Sequence, residues 1–323
     1  MANRREFLKA SVPLAASAFM RAPGANDQAL VAAASPGSVI GFAGGTYGMM
    51  MLSTEAAFRI LAQIGYDGVE PCVIAGSPTD PARISSADRR TLRSLLTATG
   101  LAVPALLESL IITGDPAKRA SNLERLNRAV EFGNELVPFH PPVIDTVLGG
   151  KSADWERLKG PMADELHAWA RLGEEARTTV CFKPHAGQAV NNPERAIWLL
   201  KQVGSPRLRI IYDYSHFYLE GFSLESSLKQ LLPYTAFISV KDSRGAPNKP
   251  EYLLPGDGDT DYLQYFRLLK EMRYSGCVGV EVSAMIHRKP GYQPVPTMRL
   301  CYERLAPVFA QAGIQRPRRR GSS

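Results

Sequence analysis

The 323-residue chain has few cysteines and no motif that pairs them. Its four cysteines are far apart in the sequence, and none belongs to a C-x-x-C pair: Cys72, Cys181, Cys277 and Cys301. This spacing excludes a disulfide framework and a structural zinc site of the zinc-finger type. Cys181 and Cys277 lie within apolar runs, where cysteine usually packs as a small hydrophobic side chain.

Long apolar runs and a dinucleotide-binding motif are also missing. The mildly apolar stretch at residues 10–20 is too short to span a membrane, so we expect no stable membrane insertion. The segment GFAGGT at residues 41–46 does not match G-x-G-x-x-G, and a dinucleotide site therefore has no support.

Positive charge is concentrated at the two ends of the chain. The formal net charge is +7, to which residues 1–34 contribute +2 and residues 316–323 contribute +4. The body at residues 35–315 is thus near neutral, whereas a nucleic-acid-binding domain carries a basic surface on its fold. We therefore expect no nucleic-acid partner. The arginines of residues 316–323 predict a solvated, disordered tail, with weak binding to anionic surfaces as the alternative.

The opening of the chain resembles a twin-arginine export signal. Arg4 and Arg5 precede Phe7-Leu8 and a weakly apolar stretch, although Asn3 stands where serine or threonine is usual. The resemblance implies that residues 1–34 are a signal peptide recognised by the Tat export machinery, and that the protein is periplasmic. An amphipathic helix that stays in place is the alternative.

Eight short apolar runs alternate with helical patterns through residues 35–315. Helical segments of ten or more residues between strands are typical of parallel βαβ units. Eight such units predict an α/β fold, a single-domain (β/α)8 TIM barrel. The predicted strands are residues 39–43, 68–70, 102–107, 142–147, 179–182, 208–212, 236–240 and 277–282.

A charged or imidazole residue follows most of these runs. Because barrel enzymes place their active sites at the carboxyl ends of the strands, we expect these residues to surround one opening. They are Glu70, Glu108, Asp145, Lys183, His185, Asp213, His216, Lys241, Asp242 and Glu281.

Several motifs in this order resemble the xylose isomerase-like TIM barrel superfamily over residues 38–312. They are GYDGVE (65–70), KPH (183–185), DYSH (213–216), VKD (240–242), LPGDGD (254–259) and YSG (274–276) running into Glu281. The superfamily contains sugar isomerases, ketose 3-epimerases, inosose and dehydroshikimate dehydratases, keto-glycoside lyases and apurinic endonucleases. The resemblance implies an enzyme that acts on a sugar, and does not select one reaction.

The resemblance also implies one divalent ion, but two of its ligands are altered here. In the family's isomerases and epimerases, Glu, Asp, His and Glu bind the ion, and Lys183, Asp213, Ser239 and Glu281 occupy these positions. An ammonium 4 Å from a cation is repelled by roughly 4 kcal/mol at an effective dielectric near 20. Two carboxylates and a hydroxyl are a poor set for Mn²⁺ or Mg²⁺. We therefore expect no cofactor; the alternative is a single Mn²⁺ or Mg²⁺ on Asp213 and Glu281.

The expected chemistry is proton abstraction next to a carbonyl, which produces an enediolate. We predict that Glu281 is the base and that Lys183 and His185 stabilise the developing oxyanion. The predicted substrate-binding residues are Glu70, Glu108, Asp213, His216, Lys241 and Asp242.

Structural roles are the alternative for the same side chains. Lys183 is then a buried cation neutralised by Asp213 and Glu281, and Lys241 forms an internal ion pair with Asp242. The histidines then pack, and the remaining carboxylates make ordinary rim contacts: Glu70, Glu108 and Asp145. For the whole protein the alternatives are a non-catalytic carbohydrate-binding barrel, a keto-glycoside lyase or dehydratase, and a Schiff-base enzyme that uses Lys183.

Overall fold

The computed structural model describes residues 39–317, and eight parallel strands form its central sheet. The ten strands, in chain order, are β1 (Gly41–Gly45), β2 (Gly68–Glu70), β3 (Ala105–Leu107), β4 (Val143–Val147), β5 (Val180–Lys183), β6 (Leu208–Asp213), β7 (Thr235–Val240), β8 (Asp242–Ala246), β9 (Lys249–Leu253) and β10 (Cys277–Val280). The predicted signal peptide, residues 1–34, lies outside the described residues.

The parallel strands follow the order β2-β1-β10-β7-β6-β5-β4-β3. Isolated parallel bridges join the two outer strands, Gly68 with Ala102 and Cys72 with Leu107, so the sheet is nearly closed. Helices connect successive strands, and the predicted single-domain (β/α)8 barrel is confirmed. No helix within residues 39–317 has the length and apolar character that a membrane crossing requires.

The helices begin and end largely where cap residues stand in the sequence. They are α1 (Thr54–Ile64), α2 (Ser86–Thr99), α3 (Pro116–Leu136), α4 (Trp155–Glu175), α5 (Pro193–Val203), α6 (Tyr214–Leu219), α7 (Leu224–Leu231), α8 (Tyr262–Glu271), α9 (Ala284–His287) and α10 (Pro294–Gln311). The Ser53 hydroxyl accepts a hydrogen bond from the amide of Ala56 at the start of α1. Gly100 ends α2 with φ +68°, the left-handed conformation that glycine adopts readily.

The lumen of the barrel is packed with side chains, and it fixes which residues point inward. Ala105, Cys181, Ile211 and Phe237 form a buried cluster separate from the large core between sheet and helices. Gly279 makes room for Phe237, since a Cβ at position 279 would lie 2.4 Å from the phenylalanine ring. Side chains two residues further along each strand share this inward direction.

The structure differs from the predicted strands at the first unit and after β7. β1 is Gly41–Gly45 rather than residues 39–43; Val39 makes only an isolated bridge, to Gln315. The antiparallel hairpin of β8 and β9 was not predicted, and its segment contains Gly and two prolines, which disfavour strands. α6 and α9 were also missed, because each is a short helix inside a strand-to-helix loop.

Arg316, which the sequence assigned to the disordered tail, instead lies against the barrel. Its guanidinium group binds both carboxylate oxygens of Asp67, at 2.7 and 2.8 Å, and donates to the carbonyl oxygen of Gly65. It also donates to the Tyr302 hydroxyl at 2.9 Å and lies 5.7 Å from the centre of the Phe42 ring. The amide of Ile40 donates to the carbonyl oxygen of Gln315, so the two ends of the described chain meet at the amino-terminal side of the strands.

Candidate active site

Five strand segments, those of β4, β5, β6, β7 and β10, bring charged side chains to the carboxyl end of the lumen. Lys183, Asp213 and Glu281 each lie two residues beyond an inward-facing residue (Cys181, Ile211 and Gly279, respectively). On β7, inward-facing Phe237 is followed by Ser239 and then Lys241. The two-residue period of a strand therefore brings these side chains to one end of the barrel.

An alternating chain of ion pairs fills this end of the lumen. The Nζ of Lys183 lies 2.6 Å from Oε2 of Glu281 and 3.1 Å from Oδ2 of Asp145. The Nζ of Lys241 contacts Oδ2 of Asp213 and lies 3.0 Å from Oε1 of Glu281. Glu281 thus contacts both lysines. Each lysine also contacts a second carboxylate, which is Asp145 for Lys183 and Asp213 for Lys241.

Glu281 is the most exposed member of this cluster. Its side chain is 12% exposed, compared with 2% for each lysine and 0% for Asp145 and Asp213. Burial acts to raise the pKa of Glu281, but the two ammonium groups outweigh it and hold that pKa well below its usual range. Burial acts to lower the pKa of Lys183, whereas Asp145 and Glu281 raise it well above the ordinary value. At neutral pH Glu281 is therefore a carboxylate and Lys183 is an ammonium group.

Burial raises the pKa of two carboxyl groups here, Asp145 within the cluster and Glu70 beside it. Burial raises the pKa of Asp145 to about 6, against the lowering effect of Lys183. Glu70 is 1% exposed, and its Oε1 has no hydrogen-bond partner among the described residues. Burial and the neighbouring Asp145 raise the pKa of Glu70 well above its ordinary value, which favours its protonated form. Gly45 allows this fit, since a Cβ there would lie 3.3 Å from Oε2 of Glu70.

Two histidines lie beside Asp213 with their rings in contact. The ring centres of His185 and His216 are 3.8 Å apart. Nε2 of His216 lies 3.6 Å from Oδ2 of Asp213, and its Nδ1 lies 2.8 Å from the Tyr252 hydroxyl. Burial lowers the pKa of His185 to about 4, and the charge of Lys241 acts in the same direction. Both histidines are therefore neutral near pH 7, because burial also lowers the pKa of His216.

A second pair of rings stands near Glu281. Tyr47 and His287 meet edge to face, with ring centres 4.7 Å apart. Burial raises the pKa of Tyr47, and the charge of Glu281 adds to this effect. Neither Tyr47 nor His287 is among the site residues predicted from the sequence.

Glu108 and Asp242 are engaged elsewhere and are not brought to the ion cluster. Oε2 of Glu108 binds the Arg125 guanidinium at 2.5 Å, and its Oε1 accepts from the amide of Ser109. Asp242 accepts from two backbone amides, those of Gly256 at 2.7 Å and Gly258 at 3.1 Å. These contacts hold the loops after β3 and β9, so a substrate-binding role for either residue has no support in the geometry.

The expected ion-pair partners were wrong in two respects. Lys241 does not pair with Asp242, because consecutive strand residues point to opposite faces and Lys241 faces the lumen. Lys183 pairs with Glu281 as expected, but its second partner is Asp145 rather than Asp213. Asp145 lies inside the predicted strand 142–147, beside the lumen residue Cys181 in the sheet, and a carboxylate within an apolar run was the available signal. Tyr252 lies on the unpredicted hairpin and carried no signal.

The residues at the family's metal-ligand positions do not fit a divalent ion in this arrangement. The carboxylates of Asp213 and Glu281 already bind the ammonium groups of Lys241 and Lys183. Ser239, at the position of the family's histidine, has a buried Oγ with no partner among the described residues. Within residues 39–317, no group of three or more His, Cys, Asp and Glu side chains is arranged to hold a metal ion.

A parallel (β/α)8 barrel with ionisable side chains gathered at the carboxyl ends of its strands has the architecture of a TIM-barrel enzyme. The family model described as the xylose isomerase-like TIM barrel matches residues 58–298. The chain belongs to this family.

Two curated relatives, an epimerase and a dehydratase, are similar to this chain at low sequence identity. The chain is 22% identical to fructoselysine 3-epimerase of Shigella flexneri over 255 residues, which cover 76% of this chain and 91% of the relative. It is 24% identical to inosose dehydratase of Geobacillus kaustophilus over 159 residues, 45% of this chain. In that case the chain spans only half the length of the relative.

A solved structure with the same fold contains a metal. The crystal structure of an IOLI protein with a binding zinc atom superposes with a TM-score of 0.71 at 16% sequence identity, covering 84% of this chain and 99% of that one. At this identity the likeness shows the fold alone. The zinc atom of that structure therefore does not assign a metal to the present chain.

Proposed function

We propose that this protein is a sugar isomerase- or epimerase-type enzyme that removes a proton next to the carbonyl of a keto-sugar or of an oxidised polyol or glycoside, without a metal ion. The observation that carries this proposal is the position of Glu281, an ionised carboxylate held between two ammonium groups at the barrel mouth. The relatives named fructoselysine 3-epimerase and inosose dehydratase support the substrate class.

In the proposed mechanism, Glu281 is the base and the lysines are the electrophiles. Substrate carbonyl and hydroxyl oxygens accept hydrogen bonds from the Nζ atoms of Lys183 and Lys241, and compete there with Glu281. As Glu281 loses these donors its pKa rises toward the ordinary value, and the carboxylate becomes a stronger base. The two ammonium groups then stabilise the enediolate oxygens as negative charge develops.

A dehydratase or lyase reaction is the second candidate, and the number of accessible bases favours it over epimerisation. Epimerisation requires proton removal on one face of the carbon and delivery on the other. The family's second carboxylate at this point is Lys183 here, and the side chain of Asp145 is fully buried. A single base suffices for isomerisation, or for elimination of a β-substituent from the enediolate.

Proton exchange into deuterated water tests the proposal independently of the product. Keto-sugars, inososes and 3-keto-glycosides would be incubated with the protein, and loss of the signal of the proton next to the carbonyl would be followed by ¹H NMR. We expect exchange with the wild type and its loss in Glu281→Gln, Lys183→Met and Lys241→Met. Lys229→Met is the matched control, because this lysine is exposed in α7 and pairs with the exposed Glu225.

The same experiment separates the alternatives. Saturable sugar binding without exchange by the wild type would contradict the enzymatic proposal and favour a carbohydrate-binding barrel. An adduct on Lys183 after borohydride treatment with substrate would contradict the role of Lys183 as a charge and favour a Schiff base. Exchange that requires added Mn²⁺ or Mg²⁺ would contradict the metal-free mechanism.

We further propose that the protein acts in the periplasm after export by the twin-arginine route. Arg4 and Arg5 with the adjoining apolar stretch support this proposal. Replacing both arginines with lysine and fractionating cells tests it, and we expect the variant to accumulate in the cytoplasm. Undiminished periplasmic protein would contradict the assignment.

A further inference from the structure

The hairpin of β8 and β9 covers one side of the barrel mouth. The base of the hairpin is hydrogen-bonded to α6, the short helix after β6, because the Ser243 hydroxyl donates to the carbonyl oxygen of Ser215 at 2.7 Å. Its tip reaches the loop after β5, since a Cβ on Gly187 would lie 3.0 Å from the carbonyl oxygen of Pro247. The hairpin therefore holds Tyr252, which β9 carries, in a defined position over the site.

Tyr252 contacts two members of the site in different ways. Its hydroxyl lies 2.8 Å from Nδ1 of His216, and its ring centre lies 5.3 Å from the Nζ of Lys241. The Tyr252 side chain is buried, and it packs in a small apolar cluster with Ala186 and Leu219. It is thus in contact with the imidazole on one side and with the ammonium on the other.

The contacts of His216 identify which of its nitrogens carries the proton. The backbone amide of Ala186 points at Nδ1 from 3.4 Å, and an N–H group can only donate. Nδ1 is therefore an acceptor, and the Tyr252 hydroxyl is the nearer of its two donors. The neutral ring must then carry its proton on Nε2, which faces the Asp213 carboxylate at 3.6 Å.

We propose that Tyr252 is a positioning residue that fixes His216 in the Nε2–H tautomer. In this tautomer an N–H group faces Asp213, the carboxylate that also accepts hydrogen bonds from Ser215 and binds Lys241. In the opposite tautomer a lone pair would face this carboxylate, and Nδ1–H would face the Ala186 amide. Both contacts would be repulsive, and Asp213 would lose part of its hold on Lys241.

The consequence for catalysis rests on the proposed function, whereas the tautomer itself does not. The Nζ of Lys241 contacts both Asp213 and Glu281. If Asp213 moves, Lys241 moves with it, and the position of one of the two ammonium groups beside the base changes. Tyr252 would thus act on the reaction through His216, Asp213 and Lys241, without touching the reacting atoms.

Long-range ¹H–¹⁵N correlation spectra of histidine-labelled protein would test the proposal in the absence of substrate. The His216 signals are assigned by their loss in His216→Gln. We expect the wild type to show Nδ1 unprotonated and Nε2 protonated. In Tyr252→Phe we expect a measurable fraction protonated on Nδ1, because the nearer donor is lost and only the long Ala186 contact remains.

The matched control is Tyr218→Phe, which removes a hydroxyl bonded to Asp259 at 2.9 Å outside the ion cluster. Its His216 signals should equal those of the wild type. A wild-type His216 protonated on Nδ1, or a folded Tyr252→Phe protein with an unchanged tautomer, would overturn the proposal. If the proton-exchange activity fails in every variant including the wild type, the proposed function is wrong, and the tautomer result still stands or falls on the spectra.

Discussion

At the scale of single residues, the site depends on charges that are buried only because they are paired. Lys183 and Lys241 are each 2% exposed and each contact two carboxylates. Removing one partner of a buried ion pair leaves an uncompensated charge, which usually costs more than the pair itself contributes. Each lysine is therefore required for the local fold as well as for the proposed chemistry.

Lys183→Met should destabilise the protein by about 3–5 kcal/mol, because Asp145 and Glu281 then lose their common cation. Their mutual repulsion should also raise the pKa of at least one of them, so that the base is partly protonated at neutral pH and turnover falls. Urea denaturation at pH 7 measures the first effect. Lys229→Met, in an exposed ion pair, is the control, and an equal loss in both variants would contradict the prediction.

His185 predicts a specific pH dependence of stability. Its pKa is lowered from 6.5 to about 4 in the folded protein, chiefly by burial and then by Lys241. Between these values the unfolded chain binds a proton that the folded protein does not, so stability decreases as the pH falls from about 6.5 to about 4.

His185→Gln should make this acid decline shallower by up to about 1.4 kcal/mol per pH unit, the value for one proton. Denaturation curves collected between pH 4 and 7 would measure the slope. His140→Gln, at an exposed position, should leave it unchanged. A slope in His185→Gln as steep as that of the wild type would show that His185 titrates normally in the folded state.

At the scale of elements, strand alternation decides which side chains form the site. Phe237, Ser239 and Lys241 occupy alternate positions of one segment and share the lumen face. Asp242, one residue further, points away and caps the amides of the loop that follows the hairpin. Parallel pairing of Asp213 with Ser239 then places Asp213 next to the strand end that carries Lys241.

This arrangement predicts how a metal site would have to be restored. Lys183→Glu with Ser239→His recreates the family's ligand types, but Lys241 still binds Asp213 and Glu281. We expect the double variant to gain some affinity for Mn²⁺, and the triple variant with Lys241→Met to bind it more tightly. Calorimetry on the folded variants measures both. Equal affinities would show that Lys241 does not compete with the ion, and no binding by either would contradict the assignment of the ligand positions.

At the scale of the whole molecule, Arg316 connects the end of the described chain to the first two βα units. Arg316→Met should destabilise the barrel by about 3 kcal/mol, because Asp67 is 7% exposed and loses its guanidinium partner. Arg299→Met, at an exposed position of α10, is the control. Thermal or urea unfolding measures the difference, and a stability equal to that of Arg299→Met would contradict a stabilising role for the Arg316–Asp67 ion pair.

The sequence by itself determined the barrel and the charged side chains at its strand ends. Eight apolar runs separated by helical patterns allow few arrangements other than parallel βαβ units. The sequence also shows Lys183 and Ser239 at positions where the family has a glutamate and a histidine. Strand alternation also separates Lys241 from Asp242, because consecutive strand residues point to opposite faces.

The partners of these residues were decided by the tertiary structure. Lys183 on β5 meets Asp145 because β4 is its neighbour in the sheet. Lys241, directly after β7, meets Asp213 because β6 is the neighbour of β7. Glu281 contacts both lysines because closure of the barrel brings distant strand ends across one lumen. Ion pairs form between side chains at contact distance, and a strand-end motif fixes the type of side chain but not the distance between strands.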